Sequence, residues 1–287
     1  MLHSTLDEML ASHSGTSPNP GPVAVVFCED GVGIADTISS LINQGFAEIL
    51  LISAIRHTLP AEFEGKVSSV SIFFRDSLEV AALLNRIIEA RPGKWIFWCY
   101  NAEFLYFPHC ETRTIADATT FMEEERRSAV SAQIVDLYSN NLERDTDAVN
   151  LDEPYLDVSG YYGMPRYDGP EALPEQFDLL GGLKWRFEEH VPWSQRFIDR
   201  VSLFRAAPGL EIDARGLFND PDYNTISCPW HNNMTIALAS FRTAKALLHN
   251  PGSRPYVESF MAPQSRRFDW SSQQLLELGF MEPGQWF

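Results

Sequence analysis

Asn101 and Glu103 stand at the end of an apolar run, KWIFWCYNAEFL over residues 94–105. Trp95, Ile96, Phe97 and Trp98 are consecutive and aromatic or β-branched, the composition of a strand buried on both faces. Ligands of open α/β sheets bind just outside the carboxyl ends of strands, which places Asn101 and Glu103 where chemistry is usually done. The alternative is a core strand running into an ordinary loop. A second group is cationic. Lys184, Arg186, Arg196, Arg200 and Arg205 concentrate positive charge in a chain of formal net charge -17. Arginine forks and lysine point charges suit phosphate, but Glu188, Glu189 and Asp199 are near enough in sequence to pair with them. Lys184 and Arg186 follow Gly181 and Gly182, which permit close backbone approach, and are the ligand candidates of the set. His231, in PWHNN, is either a metal ligand or phosphate donor, or a structural residue at a helix entrance with Asn232 as its N-cap. His109 and Cys110 have no partner pattern and read as structural.

Composition bounds the possibilities. The 287 residues are 45% hydrophobic, enough for a sizeable core. The acidic balance argues against broad affinity for nucleic acid or anionic membrane. No run approaches the length needed to span a bilayer, and the N-terminus lacks the basic start and apolar block of a signal peptide, so the expected location is the cytoplasm. Cys28, Cys99, Cys110 and Cys228 are scattered without CxxC spacing and suit reduced thiols. Neither GxGxxG nor GxxxxGK follows a strand, which disfavours the common phosphate-loop enzymes.

The elements that must position these residues alternate. Residues 1–21 are an N-terminal arm with Leu2, Leu6 and Leu10, ending in a turn-rich linker. PVAVVFCEDGVG reads as a strand leading to an acidic loop at Glu29 and Asp30. A helix with Ile34, Ile38, Leu41 and Ile42 at helical spacing follows, and then a second buried strand, AEILLIS. A short strand over residues 70–74 and a helix carrying Val80, Leu83, Leu84, Ile87 and Ile88 lead to the central run, with Pro92 and Gly93 between. A helix over 115–127 and a strand over 131–138 come next. This order predicts an α/β fold: a single domain over residues 22–287 with a mostly parallel central sheet flanked by helices. Residues 139–180 read as an irregular acidic excursion packed as a cover. Residues 181–287 form a second half with a long helix over 234–248 and a short helix near the terminus.

Taken in order, the acidic loop after the first strand, the helix leading to QGF, and the strand ending W-x-F-W-x-x-x-x-E-F-L resemble the GT-A glycosyltransferases of family 2. The likeness is to their bacterial branch, in which a strand ends in DxDEFL. It covers residues 22–138, the nucleotide-binding half, and extends more weakly to GGLKWRF in the acceptor-side half. The resemblance implies transfer of a sugar from a nucleotide sugar to a glycan or other hydroxyl acceptor, in surface glycan or polysaccharide synthesis. It also implies a divalent metal, manganese or magnesium, held by the DxD carboxylates against the diphosphate. Aligning Glu103, Phe104 and Leu105 with EFL puts Tyr100 and Ala102 where the aspartates belong. That degenerate DxD leaves Glu103, with His231, as the metal candidates. Glu29, Asp30, Asn101 and Glu103 stand as donor-binding candidates, with Lys184 and Arg186 as cations that take the metal's place. Glu29 and Asp30 equally suit a solvated loop. An inverting transferase needs a carboxylate to take the acceptor proton, and Glu188 and Glu189 are the candidates. The competing reading is a catalytically silent GT-A domain that binds a nucleotide, a glycan or a protein.

Overall fold

The computed structural model describes residues 1–12, 21–228 and 231–286. In chain order its elements begin with β1 (Leu2–His3), α1 (Leu6–Ser12), β2 (Val23–Cys28), α2 (Ile34–Asn43), β3 (Glu48–Ser53), β4 (Val67–Ser71), α3 (Ser77–Ala90), β5 (Trp95–Tyr100) and β6 (Glu103–Tyr106). They continue with α4 (Ile115–Glu124), β7 (Ala129–Asp136), β8 (Tyr155–Asp157), β9 (Tyr162–Asp168), β10 (Glu171–Leu180), α5 (Gly182–Arg186), β11 (Asp199–Arg205), β12 (Ile236–Ser240), α6 (Arg242–His249), β13 (Ser265–Arg267) and α7 (Ser272–Glu277). The fold is α/β, with nine strands of mostly parallel central sheet flanked by helices. The residues fall into two compact units: residues 1–102, 112–131 and 200–224 in the first, and 103–111, 132–199 and 225–287 in the second.

In the first unit the strand order is β1-β4-β3-β2-β5-β11. All neighbours run parallel except β11 against β5. Every residue of β2, β3 and β5 is buried, as expected of strands covered on both faces. Val23, Val25 and Phe27 of β2 share a core cluster with Leu84, Ile87 and Ile88 of α3, while Phe46 packs on Phe97 with ring centres 5.5 Å apart. The helix α3 starts where Asp76 accepts hydrogen bonds from the N–H groups of Leu78 and Glu79, satisfying two donors that a helix end otherwise leaves open. The N-terminal arm is part of the first unit's core. Leu6, Met9 and Leu10 enter the same core, β1 adds a parallel edge strand to β4, and Arg91 donates to the Leu10 carbonyl at 3.1 Å.

The second unit contains β7-β12-β6, with β12 parallel to β7 and antiparallel to β6. Two small antiparallel pairs, β9 with β10 and β8 with β13, complete it. Tyr138, Ala148, Leu183, Ala244, Leu247, Leu248, Val257 and Phe260 form its core cluster.

Three expectations are corrected here. Residues 234–248 are not one helix: Ile236–Ser240 is a fully buried strand, and the helix begins only at Arg242. A short continuous apolar run has no period that separates a buried strand from a buried helix, and the alanines favoured the wrong one. Residues 139–180 are not irregular throughout, because β8 and the β9–β10 hairpin occupy much of the stretch. The short third strand sits at Val67–Ser71 rather than at 70–74.

Candidate functional site

In the first unit, Phe27 of β2 pairs with Tyr100 of β5, and Cys28 pairs with Ser53 of β3. The carboxyl ends of three parallel strands therefore form one edge. Asn101 follows β5 directly and is fully buried. Its Oδ1 accepts the Glu29 N–H at 2.9 Å, while its Nδ2 donates to Asp30 Oδ1 at 2.6 Å and to the Val32 carbonyl at 2.9 Å. Asp30 Oδ1 also accepts the Val32 N–H at 2.9 Å. Asn101 thus clamps the acidic loop after β2, and one carboxyl oxygen of Asp30, Oδ1, is engaged in that clamp. Glu29 itself is exposed on the clamped loop.

The loop is held equally firmly at its far end. Gly33 has φ 68°, and a Cβ there would lie 3.0 Å from the Ala102 Cβ, so the left-handed turn and the close approach both call for glycine. Ala102 itself takes φ 58°, and its N–H donates to Thr37 Oγ1 at 2.9 Å. Farther along the same edge, Ser53 Oγ and His57 Nε2 are 2.8 Å apart. The sequence shows Ser53 and His57 at the end of the second buried strand, but not that they pair.

In the second unit, Glu103 is buried and accepts a 3.0 Å hydrogen bond from Ser240 Oγ. Ser240 pairs in register with Glu103 on one side and with Asp136 on the other. Three polar side chains consequently project from the same rank of β6, β12 and β7, the outer two separated by roughly 10 Å of sheet. Asp136 is 1% exposed. Its Oδ2 accepts the Leu183 N–H at 2.8 Å, and its Oδ1 has no hydrogen-bond partner. Burial raises its pKa, against the pull of the Lys184 charge and of the Thr243 and Leu183 donors. The missed signal was the Asp ending the apolar run AQIVD.

The pair Gly181-Gly182 does admit close backbone approach, but to protein. A Cβ on Gly182 would lie 2.6 Å from Asp136 Oδ2, and one on Gly181 would lie 2.4 Å from a Tyr161 ring carbon. The two cations after the glycines have internal partners. Lys184 Nζ donates to the Phe197 carbonyl at 2.8 Å. Arg186 Nη1 reaches both oxygens of Asp157, at 3.1 and 2.9 Å, and Nη2 reaches the Phe260 carbonyl at 2.8 Å. Tyr138 and Ser265 complete the group: the Tyr138 hydroxyl donates to Asp157 Oδ1 at 2.6 Å and lies 2.7 Å from Ser265 Oγ.

Of the carboxylates suggested as bases, Glu188 pairs with Arg196 at 2.6 Å, whereas Glu189 is 63% exposed and lies 3.6 Å from His190. Asp199 pairs with Arg166 at 3.0 Å. The His231 N–H donates to the Cys228 carbonyl at 3.4 Å, and its Nε2 lies 3.4 Å from Asn233 Nδ2. No helix begins there, so Asn232 caps none; Pro229 and Trp230 lie outside the described residues.

The donor set does not fit the divalent metal that the resemblance implies. Tyr100 and Ala102 offer no hard oxygen charge, Glu103 is buried against Ser240, and no three His, Cys, Asp or Glu side chains converge for a metal among the described residues. No described helix is long and apolar enough to cross a membrane.

No protein-family model matches the chain, and no curated protein matches its sequence. Among solved structures, the chain is similar to residues 1–349 of TarS from S. aureus, at 13% identity and TM-score 0.36, covering 82% of this chain and 68% of that one. It is also similar to 2-C-methyl-D-erythritol 4-phosphate cytidylyltransferase (IspD) from Francisella tularensis, at 11% identity and TM-score 0.28, covering 65% of this chain and 73% of that one.

Proposed function

We propose that this protein is a glycosyltransferase of GT-A type that takes a sugar from a nucleotide sugar and passes it to a hydroxyl acceptor in surface glycan or polysaccharide synthesis. The reading rests on one feature of the first unit: an acidic loop, pinned by Asn101, at the carboxyl edge of β2, β3 and β5. A carboxylate on a pre-formed loop accepts from a ribose hydroxyl or a base N–H, and little ordering entropy is then lost on binding. Glu29 supplies that carboxylate, Asp30 and Asn101 fix its backbone, and the Ser53–His57 pair lines the same strand ends. The order of motifs along residues 22–138 supports the same reading.

Within the second unit, the roles divide by what each group already bonds. Glu189, not committed to an arginine, is the better candidate for accepting the acceptor proton, and Glu188 supports Arg196. Lys184 and Arg186 hold the turn after the two glycines in place. With its cysteines as free thiols, cytoplasmic placement belongs to this reading. One observation favours a second reading, a GT-A domain that binds nucleotide without turnover: the DxD positions hold Tyr100 and Ala102.

Calorimetric titration with a panel of nucleoside diphosphates and nucleotide sugars, followed by assay for nucleoside diphosphate release, tests the proposal. Saturable binding with release is expected of the transferase. Binding without release selects the silent domain, and absence of nucleotide binding overturns both.

A further inference from the structure

We infer that the second unit carries a separate binding site for a neutral sugar, in the cleft bounded by residues 140–143 and 254–259. The cleft has a volume of about 490 Å³, within the roughly 300–1,000 Å³ of small-ligand sites. Its lining includes Asn140, Glu143, Arg254 and Glu258 around the half-buried Leu142 and the exposed Pro255.

The walls are set in advance. Asn141 Oδ1 accepts the N–H groups of Glu143 and Arg144 at 3.1 and 3.0 Å, fixing the turn of one wall. On the other wall, Ser253 Oγ donates to the Leu247 carbonyl at 2.7 Å, and Arg254 Nη1 donates to the Val257 carbonyl at 3.3 Å. Both walls rest on the same core, since Val257 belongs to it and Leu142 packs against it. A ligand therefore meets a shape already formed, which reduces the ordering cost of binding.

Chemistry selects the ligand. The amide of Asn140, the carboxylates of Glu143 and Glu258 and the remaining guanidinium N–H groups of Arg254 point no bonds at one another, and all four residues are exposed at the cleft. Planar groups of mixed donor and acceptor character bind adjacent hydroxyls in pairs, while Leu142 and Pro255 meet a C–H face. Two carboxylates against one arginine repel a phosphate or carboxylate ligand. Arg254 in turn opposes a cationic one. A neutral polyhydroxylated ring satisfies both constraints.

The inference stands independently of nucleotide binding in the first unit. It is tested on the full chain by nuclear magnetic resonance titration with glucose, galactose and N-acetylglucosamine, using inorganic phosphate and free arginine as counter-probes. Millimolar affinity is typical of so small a contact, so the titration runs to roughly 50 mM. The expected result is saturable shifts at residues 140–143 and 254–259 with at least one sugar, weakened about tenfold in Asn140→Ala and in Glu258→Ala. Neither side chain makes a bond that the fold depends on, so both variants keep the wild-type spectrum elsewhere. No saturation with any of the three sugars, saturation by phosphate or arginine instead, or sugar affinity unchanged in both variants overturns the inference. Nucleoside diphosphate binding is measured on the same samples, and its loss or survival reports separately on the transferase reading.

Discussion

Replacing Asn101 probes the clamp beneath the acidic loop. In Asn101→Ala three hydrogen bonds disappear: one to the Glu29 N–H, one to the Val32 carbonyl and one to the Asp30 carboxylate. Neutral hydrogen bonds contribute about 0.5–1.5 kcal/mol each and those to charged groups about 1.5–3 kcal/mol, and Asn101 is fully buried, so the loss should be about 3–5 kcal/mol. Asn101→Asp separates the clamp from mere burial. It keeps an acceptor for the Glu29 N–H but sets a carboxylate oxygen where an amide donor stood 2.6 Å from Asp30 Oδ1. Two charges at such range repel by about 6 kcal/mol at an effective dielectric of 20, unless one takes a proton. The aspartate variant should therefore be less stable than the alanine variant at pH 7.

The sign of the pH dependence follows from that pair. The repulsion raises the folded-state pKa of one carboxyl group above its unfolded value of about 3.9, so the native state binds the extra proton. Stability then falls as pH rises through the window between the unfolded and folded values. Acidification from pH 7 towards 4.5 should accordingly close the gap between the two variants. Urea unfolding followed by circular dichroism measures all three proteins across that range. An alanine variant within 1 kcal/mol of wild type would refute the clamp; so would an aspartate variant as stable as alanine at pH 7.

Two further substitutions test the second unit. Arg186→Ala strands the Asp157 carboxylate, whose side chain is 2% exposed, and should cost about 3–5 kcal/mol in urea unfolding; a loss below 1 kcal/mol would return Arg186 to the role of a ligand cation. Asp136→Asn keeps an acceptor for the Leu183 N–H while removing a carboxyl whose pKa burial raises. A raised folded value means that the wild type loses stability as pH climbs above the unfolded value of about 3.9. The asparagine variant should lose less over the same interval, and parallel pH profiles for the two proteins would contradict the assignment.

Much of the first unit was legible because its strands are continuous apolar runs and its helices carry apolar residues at helical spacing. The strands β2, β3 and β5 and the helices α2 and α3 emerge close to their expected bounds. The central run is broken where sequence made it continuous: Ala102 turns with positive φ and β6 starts afresh at Glu103. Asn101 and Glu103 were therefore read as one strand end, yet they serve different neighbours, the β2 loop and Ser240.

The second unit was harder to read for physical reasons. The strand β12 is apolar on both faces and looks like the helix that follows it. The strand β9 is largely exposed and β10 mostly half-buried; they contain Pro165 and Pro174 and are interrupted by a register shift, so no period of two survives. Asp136 escaped notice because its importance comes from pairing: only the register of β7 with β12 brings it level with Ser240. The cations Lys184 and Arg186 were visible as charges, but their partners Phe197, Asp157 and Phe260 are distant in sequence or supplied by backbone.

The central claim is that the clamped loop of the first unit presents Glu29 to a nucleotide. The most direct test is calorimetric titration of nucleoside diphosphates and their sugars into the wild type and Glu29→Ala, each with and without manganese. The account predicts saturable binding of at least one nucleotide by the wild type, followed by diphosphate release when its sugar is supplied. It also predicts an affinity about 10–100 times weaker in the variant, the loss of one charge-assisted hydrogen bond. Equal affinity in wild type and Glu29→Ala would contradict the site, and no binding of any nucleotide with or without manganese would contradict the function.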